Sequence, residues 1–113
     1  MSEAKLVVIY PRPKDIESFE KIYLTEHVPM AVDNLTGKTK IVTTKITDSP
    51  QGVPPYYRIV EVYFPSMLAL KACAATMGAQ LTLAHAVKIS TGGTPLILIA
   101  EGETFTFSQT AGT

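Results

Sequence analysis

The spacing of apolar and polar positions changes character several times along the chain, and each change marks an element. Leu6-Val7-Val8-Ile9-Tyr10 is an unbroken β-prone run stopped by Pro11 and Pro13, and it reads as a strand with both faces covered. From Lys14 or Asp15 the period becomes helical: at about 100° per residue, Ile16, Phe19, Tyr23, His27 and Met30 share one stripe. Asp15 and Glu17 stand where a helix dipole favours negative charge. Pro29 disfavours helical backbone at Val28, so the spacing predicts that the regular helix ends near His27. A polar loop containing Gly37 follows from Asn34 to Lys40. Ile41 to Thr47 reads as a rather polar second strand, Asp48 to Pro55 as a loop, and Tyr56 to Phe64 as a third strand with clear alternation. One parity of that strand holds Val60, Val62 and Phe64, with Arg58 at the outer end; the other holds Tyr57, Ile59, Glu61 and Tyr63. Ser66 is a good N-cap for a helix running through Leu70 and Ala74 to Met77, which Gly78 can end or kink. Leu81 to Val87 predicts a further short helical piece. Leu96-Ile97-Leu98-Ile99-Ala100 forms the last strand, apolar on both parities, and it can continue through Phe105 and Phe107.

The order β-α-β-β-α-β is the split pattern of the ferredoxin-like α+β fold, built on a four-stranded antiparallel sheet. Two helices of modest length cover only one face of such a sheet, yet the last strand is apolar on both. A second copy of the chain is the simplest cover for the other face. Two sheets packed face to face make a dimeric α+β barrel, with a cavity between them lined by Tyr57, Glu61 and Tyr63. The alternative is a monomer whose sheet stays partly exposed. At 113 residues the chain has the length of one domain, spanning 1–113 with a core from about 5 to 107.

Charge narrows the partners. Ten Lys and Arg balance ten Asp and Glu, so the basic face that a nucleic-acid binder needs is not indicated. No apolar run approaches the roughly 20 residues of a spanning helix, and the short apolar stretch near the N-terminus lacks a signal-peptide cleavage pattern. The single Cys73 excludes an internal disulfide framework and fits a reducing compartment, so the chain reads as cytoplasmic. Flanked by alanines in a helix interior, Cys73 reads as a buried, inert thiol.

His27 is the sharpest chemical candidate. Its stripe faces the sheet, yet it sits in the last expected helical turn, near the mouth of any cavity. The dipole there favours imidazolium and burial favours the neutral ring; either suits a general acid/base or a donor to a carbonyl oxygen. The alternative is a histidine that packs and hydrogen-bonds locally. Tyr10, Tyr23, Tyr57 and Tyr63 border the sheet and suit a pocket for an aromatic or lactone-like ligand, or simply pack with their hydroxyls satisfied. Glu61 faces solvent, pairs with Arg58 or a lysine of a neighbouring strand, or is desolvated in the cavity as a proton acceptor. His85 reads as a surface or capping residue. Two separated histidines without a cysteine pair or paired carboxylates make a weak metal site, and a haem or metal oxidoreductase would have only His27 and His85 as imidazole ligands. Gly92-Gly93 lacks the context of a phosphate loop and reads as a turn into the last strand.

Three stretches resemble the EthD-like family: Tyr23-Leu-Thr-Glu-His27-Val-Pro29-Met30-Ala31, the proline-led strand Pro54-Pro55-Tyr56-Tyr57-Arg-Ile-Val-Glu61-Val-Tyr63-Phe64, and the turn Ser90-Thr-Gly-Gly93-Thr-Pro-Leu-Ile-Leu-Ile. The resemblance spans roughly residues 5 to 103. It departs at His85, which occupies a place where family members commonly carry an acid. The resemblance implies a dimeric α+β barrel, with His27 as the pocket histidine and Tyr23, Glu61 and Tyr63 as lining. The family is named for a component of the oxidative degradation of an ether fuel additive alongside a monooxygenase. Some relatives look like dehydratases, cyclases or decarboxylases, similar barrels elsewhere serve as monooxygenases, lactone isomerases and haem enzymes, and fold alone does not choose among such reactions.

These readings converge on a homodimer that binds a small apolar oxygenated or aromatic compound, acting in oxidative degradation or as a cofactor-free acid/base enzyme of the dehydratase, cyclase or isomerase type. In the alternative, the chain is a non-catalytic binding or accessory module of an oxygenase pathway. Neither reading calls for a metal or a cofactor, and a pathway oxygenase is the one further protein partner implied.

Overall fold

Strict alternation organises the sheet. In the computed structural model, which describes residues 3–108, β1 (Glu3–Pro11) buries Ala4, Leu6, Val8 and Tyr10 while the residues between them stay half-buried. Residues 1, 2 and 109–113 of the expected 1–113 domain lie outside the described residues. β3 (Tyr56–Phe64) runs antiparallel to β1 and sets Phe64, Val62, Val60 and Arg58 opposite those same four positions. β2 (Lys40–Lys45) pairs with the far side of β3, and β4 (Leu96–Gly102) with the far side of β1, giving the order β2-β3-β1-β4. The chain therefore has the α+β, ferredoxin-like architecture expected from its pattern. The apolar parity meets the helices; the wetter parity, with Lys5, Ile59, Glu61 and Tyr63, forms an open face.

Tyr57 departs from this alternation. Tyr10 pairs with Arg58 but Pro11 pairs with Tyr56, so Tyr57 is the extra residue of a β-bulge. The bulge turns its ring to the helix side, edge-on to Phe19 at 5.9 Å, and its hydroxyl donates to Glu20 at 2.9 Å. Tyr57 is thus separated from the face that carries Glu61 and Tyr63.

The first helical segment is longer than the sequence predicts. α1 (Ile16–Ile22) is capped by the Asp15 carboxylate, which accepts from the Glu17 N–H. The backbone then widens into a π turn over Tyr23–His27 and continues as α2 (Val28–Asn34). The Val28 N–H reaches back five residues to the Tyr23 carbonyl. An α-helix would require a bond from position 29 to position 25, which proline cannot supply and its ring would obstruct. Widening the preceding turn lets Pro29 sit in the first turn of a new helix, where its missing N–H costs little. His27 is therefore mid-helix rather than at a helix end.

Ser66 caps α3 (Met67–Ala74) through a hydrogen bond from the Ala69 N–H, and Thr76 caps α4 (Met77–Ile89) in the same way through Ala79. The break falls at Ala75-Thr76, ahead of Gly78. Gly78 instead allows close helix packing: a Cβ there would lie 3.1 Å from both Cβ and the carbonyl oxygen of Asn34. Among the described residues no single helix is long and apolar enough to cross a membrane.

β4 is left uncovered. Ile97 and Ile99 point to the helix side and Leu96 and Leu98 to the open side, yet all four are exposed, because α3 packs over β1 and β3 and stops short of the edge strand. The strand ends at Gly102 rather than continuing through Phe105 and Phe107, which are exposed and outside any regular element.

Candidate functional site

A cavity of about 270 Å³ lies beneath the helices, between the π turn, α2 and α4 on one side and β1, β2 and β3 on the other. For scale, an engineered cavity of roughly 150 Å³ holds benzene, so this one suits a ligand of one or two small rings. Its walls are aliphatic, with Leu6, Val8, Val60 and Val62 from the sheet and Ala31 and Ala86 from the helices. Polar groups enter at five places: Tyr10, Tyr23, His27, Thr43 and Thr82. Thr82 is turned back on its own helix, its hydroxyl donating to the Gly78 carbonyl.

His27 is brought here by the stripe that also buries Phe19 and Tyr23. Its Nε2 lies 3.3 Å from the Tyr10 hydroxyl, and its Nδ1 lies 2.9 Å from Nδ1 of His85 on α4. The two imidazole planes are within 11° of parallel. Nε2 of His85 in turn lies 3.7 Å from the exposed Glu26 carboxylate. Burial, and secondarily the proximity of His85, lower the His27 pKa to about 4, so the ring is neutral near pH 7. No helix terminus opposes the burial, because the helix runs on past His27. Tyr10 has no exposed surface, and burial pushes its hydroxyl well above the ordinary tyrosine range.

A second polar cluster flanks the cavity. Arg58, 5% exposed, donates both terminal nitrogens: one to Thr43 at 2.8 Å and the other to both Glu20 oxygens at 2.7 Å. Burial alone would raise the Glu20 carboxyl, but hydrogen bonds from Arg58, Tyr57 and Lys45 outweigh it and hold the group below its ordinary value. The guanidinium lies over the Tyr23 ring at 4.5 Å, and the Tyr23 hydroxyl bonds to Thr43 at 2.8 Å. Burial raises the Tyr23 pKa, against the opposing pull of Thr43 and Arg58.

The sequence-derived candidates thus fall into three places. His27 and Tyr23 share the helix–sheet cavity. Tyr57 belongs to the Arg58–Glu20 cluster beside it. Glu61 and Tyr63 stand on the opposite face of the sheet, where Glu61 accepts from Lys5 at 2.6 Å and Lys40 lies over the Tyr63 ring at 4.5 Å. This cavity lies within one chain, between its helices and its sheet. His85, read from sequence as a surface or capping residue, is instead the immediate partner of His27. Its signal was the α4 stripe of Ala79, Thr82, Ala86 and Ile89: His85 follows Thr82 by three residues and so borders the buried face. Cys73 is buried on α3, and burial raises its pKa. Among the described residues no three His, Cys, Asp or Glu side chains are grouped to hold a metal ion.

No family model and no curated protein sequence matches the chain. Solved structures do. An ethyl tert-butyl ether D (EthD) family protein from Bacillus halodurans superposes with a TM-score of 0.76 at 24% identity, covering 91% of this chain and 99% of that one. An EthD-like protein from Ralstonia eutropha gives 0.65 at 18% identity, covering 88% and 91%. A dimeric ferredoxin-like protein of unknown function from Jannaschia gives 0.61 at 19% identity, covering 92% and 100%. The chain shares the fold of these proteins over nearly their whole lengths.

Proposed function

We propose that this chain is one EthD-like domain, cytoplasmic and homodimeric, whose helix–sheet cavity binds a small, largely apolar oxygenated or aromatic compound, with His27 handling a proton. The observation that carries this reading is the polar centre set into otherwise aliphatic walls: a buried, neutral His27 held between Tyr10 and His85. Apolar walls bind by excluding water, and a few placed polar groups fix orientation. A histidine kept unprotonated is equipped to take a proton from a carbon acid or phenol. Removal and return of a proton is chemistry of the isomerase, cyclase or dehydratase type, and it asks for no cofactor. In an oxidative pathway the compound would be made by, or passed to, a partner oxygenase.

The second reading, a binding or accessory module without turnover, draws on the same hydrogen bonds. Both His27 nitrogens already have protein partners, which is also how a purely packing histidine is satisfied.

Calorimetric titration with small phenols and lactones tests the site. Val32 lines the cavity and is half-exposed, so Val32→Trp should close the entrance and reduce affinity at least about tenfold, the factor equal to 1.4 kcal/mol. Unchanged affinity would remove the cavity from consideration. For any compound that is turned over, His27→Gln should abolish turnover while the dimer stays folded. If the parent shows no turnover and His27→Gln changes only affinity, the module reading holds.

A further inference from the structure

We infer that Tyr10, His27, His85 and Glu26 form a proton relay whose resting tautomers all point from the cavity to the surface. This rests on the reading of His27 as the group that handles a proton. Each end of the chain of contacts dictates the same order. Tyr10 is wholly buried, and its O–H must find an acceptor; among the described residues its recorded partner is His27 Nε2 at 3.3 Å. Nε2 must then be bare, which puts the His27 proton on Nδ1. That N–H points at Nδ1 of His85, 2.9 Å away, so the His85 Nδ1 is bare as well and its proton sits on Nε2. His85 Nε2–H faces the Glu26 carboxylate, which only accepts when ionised. The reverse order would strand a buried hydroxyl hydrogen and set a nitrogen lone pair against a negative charge.

The consequence is vectorial. When a ligand proton passes to Tyr10 Oη, the Tyr10 proton passes to His27 Nε2, the His27 Nδ1 proton to His85 Nδ1, and the His85 Nε2 proton to Glu26. One O–H or C–H bond breaks in the ligand, which keeps the electron pair, and one proton leaves through the carboxylate to water. At 3.7 Å the Glu26 contact is an ion-pair distance, longer than a hydrogen bond, and the exposed side chain closes it by rotation. After one passage every tautomer is reversed, so the relay is set to hand a proton back. Tyr10 is the cavity-side group; His85 and Glu26 act as positioning residues.

Nitrogen NMR of the imidazoles tests the direction without any ligand. Near pH 7.5 the expected result is His27 protonated on Nδ1 and His85 on Nε2. Tyr10→Phe removes the inner determinant and should shift the His27 ratio toward Nε2–H by roughly 2- to 10-fold, the factor of one net hydrogen bond. Glu26→Ala alters only an exposed residue and should shift the His85 ratio toward Nδ1–H by roughly 1.5- to 5-fold, the factor of an exposed charge contact. A wild-type His27 carrying its proton on Nε2, or ratios unmoved in both variants, overturns the relay. Because the tautomers are read on the free protein, a failed relay leaves the ligand site standing, and a failed ligand titration leaves the tautomer result standing.

Discussion

At the residue scale, the protonation of His27 is the property most open to measurement. An unfolded chain protonates histidine near 6.5, whereas burial holds His27 at about 4. The unfolded state therefore binds more protons between these values, and the associated stability, complete above pH 6.5, is lost as pH falls toward 4. Over that window the wild type should lose up to about 3 kcal/mol more than His27→Gln, read from urea midpoints at each pH. A second buried charge makes a comparable demand. Glu20→Ala would leave the Arg58 guanidinium with Thr43 alone and should cost about 3 kcal/mol or more, in the range for removing one partner of a buried pair. Not every such residue was legible in the sequence. His27 and Tyr23 announce themselves through one helical stripe. Glu61 presented three options, and only the strand register, which sets Lys5 beside it, selects the ion pair. His85 depends on two helices meeting across 58 positions of chain, a relation that no local pattern encodes.

At the scale of elements, alternation and punctuation predicted what exists, while defects in regular geometry escaped. The third strand follows from its period-two run, the first and last from unbroken apolar runs, the second from a β-prone polar run, and the Ser66 cap from its hydroxyl ahead of an apolar helix. The bulge at Tyr57 arises from how two distant strands pair, so parity alone assigned its ring to the wrong side. The π turn is a compromise between Pro29 and a helix whose apolar face extends past it to Ala31 and Leu35. Tertiary burial won there over the local preference at Val28. Gly92 supplies the sharpest test at this scale. A Cβ at this position would fall 1.9 Å from the Arg12 carbonyl oxygen, where the turn into β4 crosses the end of β1. Gly92→Ala should therefore destabilise by roughly 1–3 kcal/mol, measurable by thermal unfolding, through collision with backbone rather than with a side chain that can move aside.

At the scale of the whole molecule, the layering leaves one sheet face and an edge strand without cover. Val42, Leu96 and Leu98 are exposed on that face, beside half-buried Val7, Ile9 and Ile59. The homodimer proposed above would bury them. Leu98→Lys, which places a charge in the middle of the strand without touching the helix-side core, should convert the dimer to a monomer in sedimentation velocity. A wild type that already sediments as a monomer at micromolar concentration would refute the pairing. The expectation of a second layer rests on β4, a strand apolar on both parities. The position of the helix–sheet cavity was not legible, since it depends on how far the helices stand off the sheet.

In the proposed homodimer, the uncovered β4 would also couple folding to abundance. If much of the apolar surface that holds the fold together is supplied by another molecule, the melting temperature must follow the law of mass action. Each tenfold dilution would remove about 1.4 kcal/mol and lower the transition by roughly 3–5 °C. A cell making few copies would hold a less durable protein than one making many, from the same gene.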